Sequence, residues 1–283
     1  MKYNEVVRLV NEILAQYNEA TVRQIYYRLV SPPYQYMANT VSMYTSFDKM
    51  LTKAREEGLV NWHRIADHTR SSISPAEPYQ SVDSFMENLK YNLENWWQRY
   101  TIDMWEKQDY RLRILVEKDA LSRIIADIAL NYKVSVIPGR GYNSFTQLMG
   151  QAITLGDVDK TIFLYFGDFD PSGLDIDRSA YDRLSDYTDA DFDIIRVALT
   201  EDDIANLPPN PTKILDRRSA AYVSKYGDRC WELDALPPDE LRDRVRQSIE
   251  HYIDQEKWQA DQERLTQEKS LIKDMISKLG KYS

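Results

Sequence analysis

Apolar residues fall at helical spacing from the start of the chain. Val6, Val7, Val10, Ile13 and Leu14 recur within residues 3–17 and predict an amphipathic helix. The run Thr21-Val22-Arg23-Gln24 carries a capping-box signature, in which the threonine caps and the third residue after it reaches back. The helix it opens is predicted to stop at Val30, before Ser31-Pro32-Pro33. Phe47, Met50, Leu51 and Ala54 predict a third helix ending at Gly58, with Lys49, Lys53 and Arg55 on its outer face. The following LVNWHRIADHTR reads as a short strand or a wing.

Small helices followed by a wing are the plan of a winged-helix (CAP-like) DNA-binding unit, so residues 1–75 are read as one, although any small helical domain gives a similar pattern. Residues 71–87, rich in serine and proline, read as a linker. The helical stretch 82–107, with Trp96, Trp97 and Trp105, is expected to pack the two halves together, and 76–110 is taken as a helical linker. From residue 111 strand and helix alternate: RLRILVEKD, ALSRIIADIALNY, KVSVIPGRG, SFTQLMGQAITL, TIFLYFGDFD and DFDIIRVAL. Alternation of this kind predicts an α/β region with a parallel sheet flanked by helices, ligands lying beyond the carboxyl ends of the strands. The rest of 111–283 is predicted to be a helical C-terminal extension whose charged tail, 254–283, is a solvated helix or a partner surface.

Composition narrows the chemistry. Apolar runs are too short to span a bilayer, and Glu5, Arg8 and Glu12 interrupt the first one in a way a secretory signal would not tolerate. The single Cys230 excludes a disulfide framework and fits a reducing cytoplasm. His63, His68 and His251 have no zinc-ligand spacing, so any metal is expected to be held by oxygen. The formal charge of −9 weighs against nucleic-acid binding, but it is unevenly spread. Residues 1–75 hold nine Lys/Arg against seven Asp/Glu, whereas 111–200 hold ten against fourteen.

Two places put acid at a predicted strand end. Glu117 follows ILV, and Asp168 and Asp170 follow TIFLYF in GDFDPSG. Asp-x-Asp in extended chain points both carboxylates to one side. If the two strands are neighbours, three carboxylates converge in the way that holds a magnesium ion against substrate phosphates. Asp157/Asp159, Asp175/Asp177 and Asp191/Asp193 share the spacing but lack the preceding apolar strand, and read as solvated surface. VEKDAL together with YFGDFDPSG resembles the Toprim domain of topoisomerases, primases and some nucleases, over roughly residues 111–200. That resemblance implies Mg2+ (with Mn2+ able to substitute) on Glu117, Asp168 and Asp170.

In TVRQIYYRLV, a wheel laid from Val22 puts Val22, Ile25, Tyr26 and Leu29 on one stripe and Tyr27 off it, four positions after Arg23. Tyr26 is therefore expected to pack and Tyr27 to face outward beside a guanidinium. The segment also resembles the active-site helix of the topoisomerase VI A subunit and the meiotic double-strand-break transesterase. KAREEGLVNWHRIADHTR, VIPGRGYNSFT and ELDALPPDELR resemble the stand-alone topoisomerase mini-A proteins of bacteria, archaea and mobile elements, extending the likeness over most of residues 20–255. The resemblance implies Tyr27 as nucleophile, Arg23 as its neighbouring cation, double-stranded DNA as substrate, a 5′-phosphotyrosyl intermediate and a homodimer. It leaves room for a separate ATPase partner and for a gene carried by a virus or plasmid. Lys118 and Arg140 lie near strand ends as backbone-phosphate contacts or plain surface charges; Glu232 and Asp234 read equally as structural caps. Two alternatives stay open: a metal-dependent hydrolytic nuclease with Tyr27 a bystander, and a DNA-binding or regulatory protein without catalysis.

Overall fold

The structure, a computed structural model, describes residues 2–17, 19–66, 78–138, 150–152, 154–155, 160–212 and 219–279. They form two compact units, Met1–Arg70 with Tyr110–His251, and Ser71–Asp109 with Tyr252–Ser283.

The first unit begins with α1 (Tyr3–Gln16), α2 (Val22–Val30) and α3 (Val41–Glu56). Val10, Ile13, Ile25, Leu29 and Phe47 are fully buried among them, so the apolar stripes meet in one core. Thr21 caps α2 as the sequence predicts: its hydroxyl accepts from Gln24 N at 3.1 Å, and Gln24 Oε1 accepts from Thr21 N at 2.9 Å. At the end of α3, Gly58 takes a left-handed φ of 70°, which brings Leu59 N to 2.9 Å from Ala54 O. The segment after α3 supplies a short strand, β2 (Ile65–Ala66), running parallel to β1 (Ala20–Thr21).

The α/β part carries β3 (Arg111–Val116), α5 (Asp119–Ala129), β4 (Ser135–Pro138), β5 (Thr161–Phe166), α6 (Gly173–Ser185) and β6 (Phe192–Ala198), where α4 belongs to the second unit below. The strands form one parallel sheet in the order β4-β3-β5-β6. Every residue of β5 is buried, and so are the last five of β3, which is why both read as unbroken apolar runs rather than alternating ones. Arg140 and the first half of SFTQLMGQAITL lie outside the described residues. Beyond the sheet come α7 (Ser219–Tyr226), a 3₁₀ turn at Leu233–Ala235 and α8 (Pro238–Glu250).

In the second unit, α4 (Val82–Glu94) and a 3₁₀ turn (Trp96–Arg99) lie with the long α9 (Gln255–Leu279). Trp105 packs edge-on against Trp258 at 5.5 Å, Tyr100 donates to Glu268 at 2.7 Å, and Lys107 pairs with the buried Asp261. These contacts from the stretch 82–107 lie within this unit, and none of the α4 residues is buried. Among the described residues no helix is long and apolar enough to cross a membrane.

Candidate functional site: a carboxylate cluster at the strand ends

The register of β3 against β5 sets the site. Val116 pairs with Phe166, so Glu117 and the Gly167-Asp168 pair leave the sheet at the same level, with Glu117 N donating to Phe166 O at 2.9 Å. Glu117 Oε2 turns back across the gap to accept from Asp168 N at 2.8 Å and from the Tyr165 hydroxyl at 3.2 Å. Only glycine fits between them: a Cβ on Gly167 would stand 2.7 Å from that same oxygen and would collide with the Tyr165 hydroxyl. Asp170 closes the turn, its Oδ1 accepting from Gly173 N at 2.6 Å where α6 begins. Arg196 on β6 ties this turn down by donating to the carbonyls of Asp168 (3.2 Å) and Gly173.

Asp168 is held on both oxygens. Oδ1 accepts from Leu233 N at 2.7 Å, and Oδ2 lies 3.1 Å from Lys118 Nζ. The same ammonium meets Asp234 at 2.8 Å and Glu232 at 3.0 Å. Lys118 therefore points into the cluster rather than out towards solvent. Its three hydrogens satisfy three carboxylates, an arrangement in which removing the cation leaves buried negative charge uncompensated. Burial lowers the Lys118 pKa, but Asp234, Asp168 and Glu232 outweigh it and raise the ammonium well above its usual range. Burial pushes the Asp168 carboxyl up to about 7 despite Lys118, with the Glu117 charge adding to the rise. Glu117 is raised by burial too, and by Asp170 beside it. Glu232 goes the other way: Lys118 and Arg23 overcome its burial and lower it.

Helix α2 reaches this cluster from the other side. Arg23 pairs with Glu232, its guanidinium also lying 4.8 Å from the Tyr44 ring centroid. Burial acts to lower Arg23 and is overcome by Glu232, so the charge is firmly retained. Thr21 donates to Asp234 Oδ1 at 3.2 Å, and Arg28 donates to Ala235 O at 3.0 Å.

Tyr27 corrects the sequence expectation. It does not face outward; it is 2% exposed, and Asn210 Nδ2 donates to its hydroxyl at 2.5 Å. The reason is tertiary. The stripe Ile25, Tyr26, Leu29 packs on the helical core, while the opposite face is covered by the 233–235 turn and by Asn210, far away in sequence. Burial, and then Glu232, raise the Tyr27 phenol, against smaller pulls from Asn210, Arg23 and Lys118. Tyr26 packs as expected, its hydroxyl donating to Ala38 O at 2.8 Å.

No family model, curated protein or solved structure matches the chain. What the site can do rests on its own geometry. Its donors are all oxygen, the right type for a hard cation, and Glu117 Oε1 and Asp170 Oδ2 carry no hydrogen bond from the described residues. Their disposition does not fit an ion: Asp168 is closed off by Lys118 and Leu233, and no three acidic, imidazole or thiol side chains among the described residues stand together as a metal site. Of the other expected contacts, Lys49 and Lys53 are exposed on α3, Lys53 lying 3.7 Å from Glu57, and the half-buried Arg55 donates to Thr52 at 3.1 Å. Asn210 has no signal in the sequence. Glu232 and Asp234 do, since acids before a proline-led helix invite attention, but nothing local tells that they face Lys118 and Arg23.

Proposed function

We propose that the chain is a DNA-cleaving transesterase of the type IIB topoisomerase A-subunit kind, built on winged-helix and Toprim-like parts, with Tyr27 as nucleophile. One observation carries the reading. The ion pairs Arg23–Glu232–Lys118–Asp168 run unbroken from the tyrosine helix to the carboxyl ends of the central strands, so a phenol, two cations and the strand-end acids share one site. In the reaction the Tyr27 oxygen attacks a backbone phosphorus and the bond to the 3′-oxygen breaks. The phenolic proton is lost and the departing oxygen takes one up, leaving a 5′-phosphotyrosyl link. Arg23 and Lys118 are the groups here that answer phosphate charge, in exchange for the carboxylates they now hold. Access to Tyr27 requires Asn210 to release its hydroxyl. Two such chains acting together would cut both strands.

The burial of Tyr27 favours a second reading, hydrolysis at the same acids with the tyrosine a packing residue. The two are separated by incubating the protein with supercoiled DNA and magnesium and quenching with denaturant. Transesterification predicts DNA joined to protein, lost in Tyr27→Phe and kept in Tyr26→Phe. Nicking that persists in Tyr27→Phe with free 5′-phosphates selects hydrolysis, and intact DNA throughout selects a binding protein.

A further inference from the structure

We propose that Glu232 is the chain's own stand-in for a phosphate: its carboxylate fills an oxyanion site between Arg23 and Lys118, and a backbone phosphate binds there by displacing it. Naming DNA as the source of that phosphate rests on the transesterase reading; the site and the exchange do not.

The geometry separates Glu232 from the other acids around Lys118. A single oxygen, Glu232 Oε2, accepts from both cations, from Arg23 Nη1 and from Lys118 Nζ at 3.0 Å. An oxygen shared by a guanidinium and an ammonium is what a phosphate presents to its cations. As an ion pair, however, the contact is incomplete. Arg23 meets Glu232 through one nitrogen, not through the parallel two-bond fork that makes arginine–carboxylate pairs strong. Glu232 Oε1 accepts no hydrogen bond from the described residues. Asp168 has a second tie, to Leu233 N, and Asp234 has one to the Thr21 hydroxyl. Their side chains are 11% and 3% exposed, that of Glu232 22%. Of the three acids on Lys118, Glu232 is the one placed to leave.

Leaving needs no movement of the backbone. Trp231 is fixed on Phe169 by two bonds, Trp231 N to Phe169 O at 3.0 Å and Phe169 N to Trp231 O at 2.8 Å, and Leu233 N is held by Asp168. Rotation of the Glu232 side chain is enough. What remains suits an anion. With Glu232 in place, Arg23 and Lys118 face three carboxylates; with it swung out, the two cations face Asp168 and Asp234 alone. Those two keep Lys118 aimed and release its third hydrogen, which joins Arg23 Nη1 as a donor. Arg23 stays steadied by the Tyr44 ring, and its side chain is 38% exposed, so an oxyanion reaches it from solvent.

The test is calorimetric titration of inorganic phosphate into the full chain without magnesium, at constant ionic strength. Glu232→Gln should bind at least about tenfold more tightly than wild type, because the competing charge is gone and the side-chain shape is kept. Glu232→Ala should give the same order, and serves if the glutamine variant does not fold. Adding Arg23→Gln to either should cancel the gain. Asp193→Asn makes the same change in net charge at the opposite end of the sheet and should leave phosphate binding unchanged. Glu232 variants that bind phosphate no better than wild type overturn the proposal, as does an equal gain in Asp193→Asn or a gain that survives Arg23→Gln. Loss of the fold in both Glu232 variants also overturns it, since the carboxylate is then a structural tie. The covalent-adduct assay fails independently. An adduct without a phosphate gain in Glu232→Gln keeps the transesterase and sinks the exchange; the gain without an adduct does the reverse.

Discussion

Lys118 Nζ stands 3.1 Å from Asp168, yet burial still raises that carboxyl to about 7. The competition has a consequence for stability. The folded state holds a proton on Asp168 that the unfolded chain releases near pH 4. The contribution of that proton is complete below the unfolded value and is lost as pH climbs through about 7. Glu117, also raised, works in the same direction; Glu232, lowered by its cations, works oppositely, losing its contribution in acid. Thermal melts between about pH 5 and 7 are therefore expected to show stability falling by on the order of 1.4 kcal/mol per pH unit for each proton released. Asp168→Asn should flatten that slope while wild type keeps it. A wild-type melting temperature that rises over the same interval would mean that the ion pair, not burial, governs Asp168.

At the level of elements, α2 is defined by its own first turn and by a turn two hundred residues later. Thr21 serves both, accepting from Gln24 N and donating to Asp234. Thr21→Ala removes the cap and one buried hydrogen bond, and should cost about 1–3 kcal/mol in urea titrations followed by circular dichroism, with Thr21→Ser recovering most of it. The cap was legible in the sequence because it is local, and so were the strands, whose apolar runs end at Glu117 and Asp168. The facing of Tyr27 was not. A helical wheel identifies one packed stripe, but α2 is packed on two faces, and the second is supplied by Asn210 and Leu233–Ala235. Lys118 misled for the same reason: its acid partners at 232 and 234 are brought to it only by the turn after α7. The β3–β5 adjacency that unites Glu117 with Asp168 was a condition of the sequence argument, and the sheet order meets it.

For the molecule as a whole, a formal charge of −9 leaves few surfaces for DNA if the chain acts as proposed. The exposed side of α3 offers Lys49 and Lys53, with Arg55 at its edge, while Lys118 and Arg23 are already engaged by acids. If α3 carries the backbone contacts, replacing Lys49, Lys53 and Arg55 together by glutamine should reduce the slope of log affinity against log salt by about 2–3, measured by fluorescence anisotropy with a duplex probe. An unchanged slope would move the DNA to another face. The division into units has a consequence in time. Ser71–Asp109 and Tyr252–Ser283 belong to one unit although the whole α/β region is translated between them. At ribosomal rates of roughly 5–20 residues per second, the early segment waits on the order of ten seconds or more for the helix it needs. During that interval nascent chains on one messenger hold Trp105 without Trp258, and that bare indole, together with the exposed apolar side chains of α4, is what chaperones would meet first.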